Sequence, residues 1–218
     1  MIRIVLVDDQ ALIRTAINSI LAGTTDIVVV GEADSGETAL RVTLDQRPDV
    51  VLMDIRMPAG DGIQATQAIV ARPELAGTRV LVLTTFEDDD NVARALTAGA
   101  SGFIGKGIDP TQLVDSIRAV HRGDALLSPT ATRSLIKRFL DGTRKDHRSQ
   151  PSVTLDLLTS REVEVLRHVG LGESNDEIAA VLFISSATVK SHINRSMAKL
   201  GVHDRAQLVV AAYTNGLV

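Results

Sequence analysis

Three aspartates lie where apolar segments in the first third of the chain end. Asp8 and Asp9 follow the run IVLV, and Asp54 follows VVLM. If those segments are parallel strands, the carboxylates lie at the carboxyl edge of the sheet, where open α/β sheets bind their ligands. Clustered carboxylates repel one another unless a cation lies between them, and Mg²⁺ is the hard, oxygen-seeking cation that we expect there. The spacing therefore predicts a Mg²⁺-dependent phosphoryl-transfer site.

Two further polar side chains follow later apolar segments. Thr84 ends the run VLVLT, and Lys106 follows GFIG as the only lysine among the first 130 residues. Phosphoryl transfer to a carboxylate depends on in-line placement and on cations that take up charge on the equatorial oxygens. An ammonium group beside a metal ion supplies such charge. Lys106 and Thr84 therefore complete the predicted site.

These five residues, in this order, resemble the set found in the receiver domain of two-component response regulators. The resemblance implies that Asp54 is the phosphoacceptor nucleophile, that Lys106 pairs with the phosphoryl oxygens and that Thr84 hydrogen-bonds one of them. It also implies that Phe103 is an aromatic switch residue alongside Thr84, although an aromatic side chain in a strand is equally compatible with a plain core position. The implied Mg²⁺ ligands are all oxygen atoms, from Asp9, Asp54, the backbone carbonyl of Arg56 and, through water, Asp8.

The first 123 residues alternate between apolar β-branched runs and amphipathic segments. The runs predict strands at 4–7, 27–30, 50–53, 80–83 and 103–104, and the segments predict helices near 11–21, 36–45, 62–71, 89–98 and 110–122. Five βα units of this kind form a doubly wound parallel sheet, an α/β fold of the flavodoxin-like type. The resemblance adds the strand order 2-1-3-4-5, which places Asp9 and Asp54 on neighbouring strands.

Length and composition favour two domains. The chain has 218 residues and no cysteine, which excludes disulfides, thiolate metal sites and a cysteine nucleophile. It has neither a signal-peptide pattern nor an apolar segment long enough to cross a bilayer, so we expect a cytoplasmic protein with no membrane partner. The predicted boundaries are a receiver domain at 1–123, a linker at 124–153 that includes an amphipathic helix at 129–141, and a helical domain at 154–218.

Charge is divided unevenly along the chain. Residues 1–127 carry 11 basic and 18 acidic side chains. Residues 128–151 carry 6 basic and 2 acidic side chains, and residues 152–218 carry 6 basic and 7 acidic side chains. The net charge of the whole chain is −4, so any contact with nucleic acid must come from a local patch. The basic linker could touch DNA phosphates, but its composition favours a solvated tether.

The last 65 residues show helical patterns punctuated by capping residues. Thr159 with Glu162, and Ser174 with Glu177, are spaced as capping boxes, and a third helix, SATVKSHINRSMAKL, ends at Gly201. Two short helices joined by a tight turn predict a helix-turn-helix. The segments LTSREVEVL, SNDEIA, TVKSH and KLGVHDR resemble the DNA-binding domain of the NarL/LuxR family, so the two resemblances together cover nearly the whole chain.

The third helix carries a predicted DNA-reading face. At 100° per residue, Val189, Ile193, Met197 and Leu200 form one apolar stripe. Polar and basic side chains able to bind phosphates or base edges lie mostly opposite it. The predicted DNA-binding residues are Thr188, Lys190, Ser191, His192, Asn194, Arg195 and Lys199, with Lys190 and Asn194 as the expected base readers. An ordinary solvated helix surface is the alternative.

The final helix, RAQLVVAAYTNGLV, is apolar almost all round. Leu208, Ala211 and Ala212 can face the domain core, which leaves Val209, Val210 and Tyr213 without an obvious burial site. Unburied apolar side chains on a small domain predict a partner surface. In relatives this helix pairs two DNA-binding domains, so these three residues are the predicted dimer interface.

Together, the two resemblances predict that the protein is a phosphorylation-activated bacterial transcription factor and not an enzyme. Its expected partners are a sensor histidine kinase, operator DNA and, once phosphorylated, a second copy of itself. A phosphotransferase or phosphatase acting on small molecules is one alternative, but Arg56 stands where a second catalytic acid would be needed. A flavodoxin-like nucleotide binder is another, although Asp8 and Asp9 would repel phosphate without a metal. A DNA-binding regulator whose receiver works without phosphorylation is the third alternative.

Overall fold

The computed structural model describes residues 1–57, 60–84, 89–123, 126–127, 155–202 and 204–218. The predicted linker helix at 129–141 and the polar segment at 142–153 lie outside these ranges. Among the described residues, none of the helices combines the length and apolar character that a bilayer span requires.

A parallel sheet forms the centre of the first part of the chain. Its main strands are β1 (Ile2–Val7), β2 (Ile27–Ala33), β3 (Val50–Met53), β6 (Arg79–Thr84) and β7 (Gly102–Gly105). The order is β2-β1-β3-β6-β7, which confirms the predicted 2-1-3-4-5 arrangement. A two-residue strand that was not predicted, β8 (Leu126–Leu127), pairs parallel to β7 at the edge. A short antiparallel pair, β4 (Arg56–Met57) and β5 (Gly60–Asp61), follows β3.

Helices cover both faces of the sheet because successive strand residues point to opposite sides. On one face, Ile4 and Leu6 of β1 pack with α1 (Ala11–Ala22) and α5 (Pro110–Arg122). On the other face, Val5 and Val7 belong to an apolar cluster that includes side chains of α2 (Gly36–Gln46), α3 (Gly62–Val70) and α4 (Asp89–Thr97). Asp109 caps α5, whose first residue is Pro110, and these two residues fix where that helix starts.

The C-terminal part consists of four helices, α6 (Ser160–Gly170), α7 (Asn175–Leu182), α8 (Ser186–Leu200) and α9 (Arg205–Thr214). A 3-10 turn, Leu155–Leu157, precedes them. Both predicted capping boxes are present, with Thr159 paired to Glu162 and Ser174 paired to Glu177. The turn between α7 and α8 contains Phe183 in the left-handed region at φ 53°, which ends α7 and lets α8 start in a new direction.

The two parts of the chain touch. Helix α9 contacts α4, and the buried apolar side chains around α2, α3 and α4 are continuous with those of the helical part in one cluster. In this arrangement α9 packs both against its own domain, chiefly α6, and against the sheet domain.

Candidate phosphoacceptor site and DNA-reading helix

The carboxyl ends of β1 and β3 bring the three predicted aspartates together. Val7 and Met53 are paired across the two strands, and the backbone N–H of Asp54 donates to the carbonyl of Val7 at 2.8 Å. Ligand oxygens of Asp8, Asp9 and Asp54 all lie within 4.8 Å of one another. Asp8 and Asp54 are only 3% and 4% exposed, so two of the three carboxylates are largely removed from bulk water.

Lys106 joins this cluster from the end of β7. Its Nζ lies 2.5 Å from Asp8 Oδ2 and 2.6 Å from Asp54 Oδ2, and its backbone N–H donates to the carbonyl of Thr84 at 2.7 Å. Burial opposes the charged form of this lysine, but the hydrogen bonds that it donates to Asp54 and Asp8 outweigh burial and raise the pKa of Lys106. The side chain is therefore a fixed ammonium ion in the middle of the acidic cluster.

Asp54 is held in one position by its surroundings. Its Oδ1 accepts the backbone N–H of Arg56 at 3.1 Å, while Oδ2 pairs with Lys106. Burial is the largest influence on this carboxyl and raises the pKa of Asp54 in spite of the lysine. Gly62 allows the loop to close over it, because a Cβ at that position would lie 2.1 Å from the Asp54 carbonyl oxygen. The role predicted for the Arg56 carbonyl stays a prediction.

The donor set suits a hard divalent cation. All three side chains offer carboxylate oxygens, the ligand type that Mg²⁺ prefers. Asp9 Oδ1 is buried and has no hydrogen-bond partner among the described residues. A buried acceptor without a donor is costly unless something else satisfies it. Asp8, Asp9 and Asp54 therefore fit a Mg²⁺ site.

Thr84 and Phe103 lie beside the charged cluster. Thr84 is fully buried at the end of β6, and Phe103 is 1% exposed in the middle of β7. Both line a groove of about 1310 Å³ that also includes Lys106 and runs along α5. The buried ring fits the core interpretation of Phe103, and its switch role stays a prediction.

Helix α8 presents the predicted division into two faces. Val189, Ile193 and Leu200 are buried, Met197 is half-buried, and Ser196, which was not predicted, joins the buried stripe. The predicted DNA-binding side chains divide by exposure: Lys190, Asn194, Arg195 and Lys199 are exposed, whereas Thr188, Ser191 and His192 are half-buried. One side of α8 is therefore buried and apolar, and the other side is an exposed polar and basic surface.

Two of the predicted DNA-binding side chains have partners within the protein. Lys199 Nζ lies 2.6 Å from Glu162 Oε2, which is otherwise the capping acid of α6. The hydroxyl of Thr188 hydrogen-bonds Ser185, the N-cap of α8, at 2.8 Å. Lys199 and Thr188 thus have structural roles, and their contact with DNA stays a prediction. Glu162 was predicted only as a cap, since the lysine is 37 residues away in sequence.

Helix α9 departs from the expectation for its apolar side chains. Leu208, Ala211 and Ala212 are buried as predicted, but Val209 is also buried, with 2% exposure. The expectation that Val209 lacks a burial site is therefore wrong, because the chain's own apolar cluster encloses it. Val210 and Tyr213 are half-buried against the same cluster. Their part in a dimer stays a prediction.

Comparison with known proteins agrees with this geometry. Residues 4–118 match the model of the response regulator receiver domain, and residues 156–212 match that of the bacterial regulatory proteins of the luxR family. The transcriptional regulatory protein LiaR of Bacillus subtilis is 37% identical, with both chains covered completely. This chain therefore belongs to the NarL/LuxR family of response regulators.

Solved structures of similar proteins have the same architecture. The response regulator ChrA of a heme-sensing two-component system is 35% identical and gives a TM-score of 0.52, over 100% of this chain and 98% of the other. The response regulator RcsB in its complex with DNA is 25% identical with a TM-score of 0.55, over 98% of each chain. The chain is thus a DNA-binding transcriptional regulator of a two-component system, which decides against the nucleotide-binding and small-molecule phosphatase alternatives.

Proposed function

We propose that Asp54 accepts a phosphoryl group from the phosphohistidine of a sensor kinase. The observation that carries this proposal is the position of Asp54, buried between a lysine ammonium and two further carboxylates at the edge of the sheet. An Asp54 carboxylate oxygen attacks phosphorus, the P–N bond to the histidine breaks, and the imidazole nitrogen leaves with its electron pair. The product is an aspartyl phosphate on Asp54.

The surrounding side chains make the attack possible by balancing charge. A carboxylate and a phosphoryl group repel each other, so the site needs positive charge near the equatorial oxygens. Lys106, already fixed 2.6 Å from Asp54, supplies one such charge when it turns from the carboxylate to the phosphoryl oxygens. Bound Mg²⁺, held by Asp8, Asp9, Asp54 and the Arg56 carbonyl, would supply the rest as a Lewis acid.

The new group then alters the surface of the receiver. A phosphoryl group adds charge and acceptor oxygens next to Thr84, whose hydroxyl can donate to one of them. Movement of Thr84 would change the packing space beside Phe103, which lines the same groove. In this proposal the receiver has two arrangements, and phosphorylation shifts the population towards the one that dimerises.

The output is operator binding by two helix-turn-helix domains. Lys190, Asn194, Arg195 and Lys199 lie on the exposed surface of α8, with Thr188, Ser191 and His192 half-buried at its margins. A C-terminal domain with 6 basic and 7 acidic residues has few phosphate contacts of its own. Pairing through α9, with Val210 and Tyr213 at its half-buried edge, doubles those contacts and fixes the distance between half-sites. We expect the protein to carry out these steps in the cytoplasm.

Phosphotransfer can be tested by intact mass measurement. Wild-type protein incubated with Mg²⁺ and phosphoramidate should gain the mass of one phosphoryl group, and Asp54→Asn should gain none. Asp34→Asn, which changes an exposed carboxylate at the end of β2, is the matched control and should label fully. Full labelling of Asp54→Asn would overturn the assignment.

A further inference from the structure

Arg14 of α1 ties the loop after β1 to the neighbouring strand. Its Nη1 donates to the backbone carbonyl of Asp8, with 2.6 Å between the two atoms, and its Nε donates to Glu32 Oε2 at 2.9 Å. Glu32 lies in β2, the strand that pairs with β1. One guanidinium group therefore bridges the end of β1 and the end of β2, next to the acidic cluster.

The partner of Arg14 on β2 is itself held in place. Glu32 Oε1 accepts a hydrogen bond from the side-chain amide of Asn18, one turn further along α1, at 2.5 Å. The Arg14 side chain is 18% exposed and that of Glu32 is 40% exposed. Both carboxylate oxygens of Glu32 thus have donors on α1, and the charge-assisted pair holds the guanidinium in one orientation.

The bond from Arg14 to Asp8 fixes a peptide plane. The carbonyl of Asp8 and the N–H of Asp9 belong to the same planar peptide unit. The orientation of this unit sets ψ of Asp8 and φ of Asp9, and those two angles direct both side chains. On the other side of Asp8, its backbone N–H donates to the carbonyl of Ala33 at 3.1 Å. Hydrogen bonds to the main chain on both sides of Asp8 therefore determine where the carboxylates of Asp8 and Asp9 point.

The two carboxylates differ in how their oxygens are held. Asp8 Oδ2 lies 2.5 Å from Lys106 Nζ, and Asp8 Oδ1 accepts the backbone N–H of Gln10 at 2.9 Å. Asp9 Oδ1 is buried and has no hydrogen-bond partner among the described residues. The position of that oxygen therefore depends on the backbone of Asp9, which Arg14 orients through the shared peptide unit.

We propose that Arg14 is a positioning residue of the phosphoacceptor site. It acts through the backbone of Asp8, by holding the Asp8–Asp9 peptide plane in the orientation that lets both carboxylates reach one cation. This inference rests on the proposed function, in which Asp8, Asp9 and Asp54 hold Mg²⁺. Groups that orient metal ligands from outside typically change metal affinity by about 10- to 100-fold when they are removed.

Two substitutions at position 14 separate geometry from charge. Arginine makes both bonds from nitrogens of one rigid plane, whereas lysine keeps the positive charge but presents a single nitrogen on a flexible stem. Arg14→Lys therefore cannot hold the Asp8 carbonyl and Glu32 in the same geometry, and Arg14→Met removes the charge as well. Arg41→Met is the matched control, since Arg41 is exposed on α2 and lines the same small pocket of about 260 Å³ as Arg14 and Glu32.

Calorimetric titration of the full-length, unphosphorylated chain with Mg²⁺ measures the effect directly. The dissociation constant should rise about tenfold in Arg14→Met and in Arg14→Lys, and it should keep its wild-type value in Arg41→Met. Glu32→Gln should raise it about threefold, because the guanidinium loses a partly exposed charged partner, and this variant is a safeguard against misfolding of the Arg14 variants. A wild-type constant in Arg14→Met, or in Arg14→Lys, would overturn the proposal.

The rate of labelling by phosphoramidate shows which step Arg14 affects. A tenfold weaker site makes Arg14→Met label about fivefold more slowly when the Mg²⁺ concentration equals the wild-type dissociation constant. At saturating Mg²⁺ the rate should return to within about twofold of the wild type, because Asp54 and Lys106 are unchanged. A loss that saturating Mg²⁺ does not recover would overturn the proposal, since Arg14 would then act on the transfer step itself.

Amide hydrogen exchange in the metal-free protein gives a readout that does not depend on Mg²⁺. Loss of the charge-assisted bond to the Asp8 carbonyl should speed exchange about tenfold in peptides that cover Asp8, Asp9 and Gln10 in Arg14→Met. Arg41→Met should exchange like the wild type. Equal exchange in the two variants would contradict the role of Arg14. Wild-type protein that binds no Mg²⁺ would refute the proposed function, whereas the exchange comparison would still decide whether Arg14 orients this loop.

Discussion

Glu162 should contribute strongly to the stability of the DNA-binding domain because it has three partners in a buried position. Its Oε2 accepts the backbone N–H of Thr159 at 2.7 Å and the Thr159 hydroxyl at 2.9 Å, and Lys199 Nζ lies 2.6 Å away. Lys199 comes first among the influences that lower the pKa of Glu162 from 4.5 to about 2. The same carboxylate thus caps α6 and holds the C-terminal turn of α8.

The pKa sets the magnitude and the pH range of the effect. A fall from 4.5 to about 2 corresponds to about 3 kcal/mol at most. The lysine side chain is 37% exposed, and solvent screening reduces this to about 1–2 kcal/mol. A carboxyl whose pKa is lowered by folding stabilises the folded state above its unfolded pKa. The contribution of Glu162 is therefore complete near pH 6 and disappears as the pH falls from 4.5 towards 2.

Urea unfolding followed by tyrosine fluorescence reports on this domain, because Tyr213 in α9 is the only tyrosine in the sequence and there is no tryptophan. Glu162→Gln should lower the free energy of unfolding by about 1–2 kcal/mol at pH 6 and by much less at pH 3. Glu164→Gln is the matched control, since its side chain is 49% exposed and pairs with Arg161 one turn away. Equal losses in the two variants, or a loss in Glu162→Gln that does not change with pH, would refute the reasoning.

Three other perturbations have defined outcomes. Mg²⁺ at a hundredfold excess over its dissociation constant should stabilise the receiver by about 2.7 kcal/mol in calorimetry, and Asp9→Asn should remove most of that gain. Gly62→Ala should cost about 1–3 kcal/mol in urea unfolding because its Cβ would meet the Asp54 carbonyl, whereas Gly77→Ala, with nothing within 4 Å, should cost little; equal losses would contradict the close approach. On an operator selected from random DNA, Asn194→Ala should reduce discrimination between bases by about 1–3 kcal/mol, while Arg195→Ala should weaken binding to every duplex and lower the salt slope by about 1. Equal losses on operator and random DNA for Asn194→Ala would exclude it as a base reader.

The cluster of charged residues at the carboxyl edge of the sheet was predictable because its sequence signals are local. Each apolar run ends at, or is followed directly by, a candidate site residue. The positions of Asp8, Asp54, Thr84 and Lys106 at the ends of strands could therefore be predicted from the sequence alone. Parallel strands then bring those ends together without further information. The capping boxes at Thr159 and Ser174 were predictable for the same reason, since a cap and its partner lie three residues apart.

Contacts between distant segments were not predictable. The sequence pattern left Val209 without a burial site because helical periodicity describes the faces of one helix and carries no information about the apolar cluster formed by other parts of the chain. Asp204 has the pattern of an ordinary N-cap, but the pattern does not show that the fold buries this carboxylate to 2% exposure. Val209→Asp would therefore destabilise the fold, and it is unsuitable as a test of dimerisation. The two-residue strand β8 is too short to have a pattern of its own.

The most direct measurement of the central claim is chemical trapping of the phosphorylated residue. Borohydride reduces an aspartyl phosphate to homoserine, and peptide sequencing by mass spectrometry then locates it. After incubation with a phosphodonor and Mg²⁺, we expect homoserine at position 54 and unchanged aspartate at positions 8 and 9. Homoserine at either of those neighbours, or its absence from position 54 in fully labelled protein, would contradict the account.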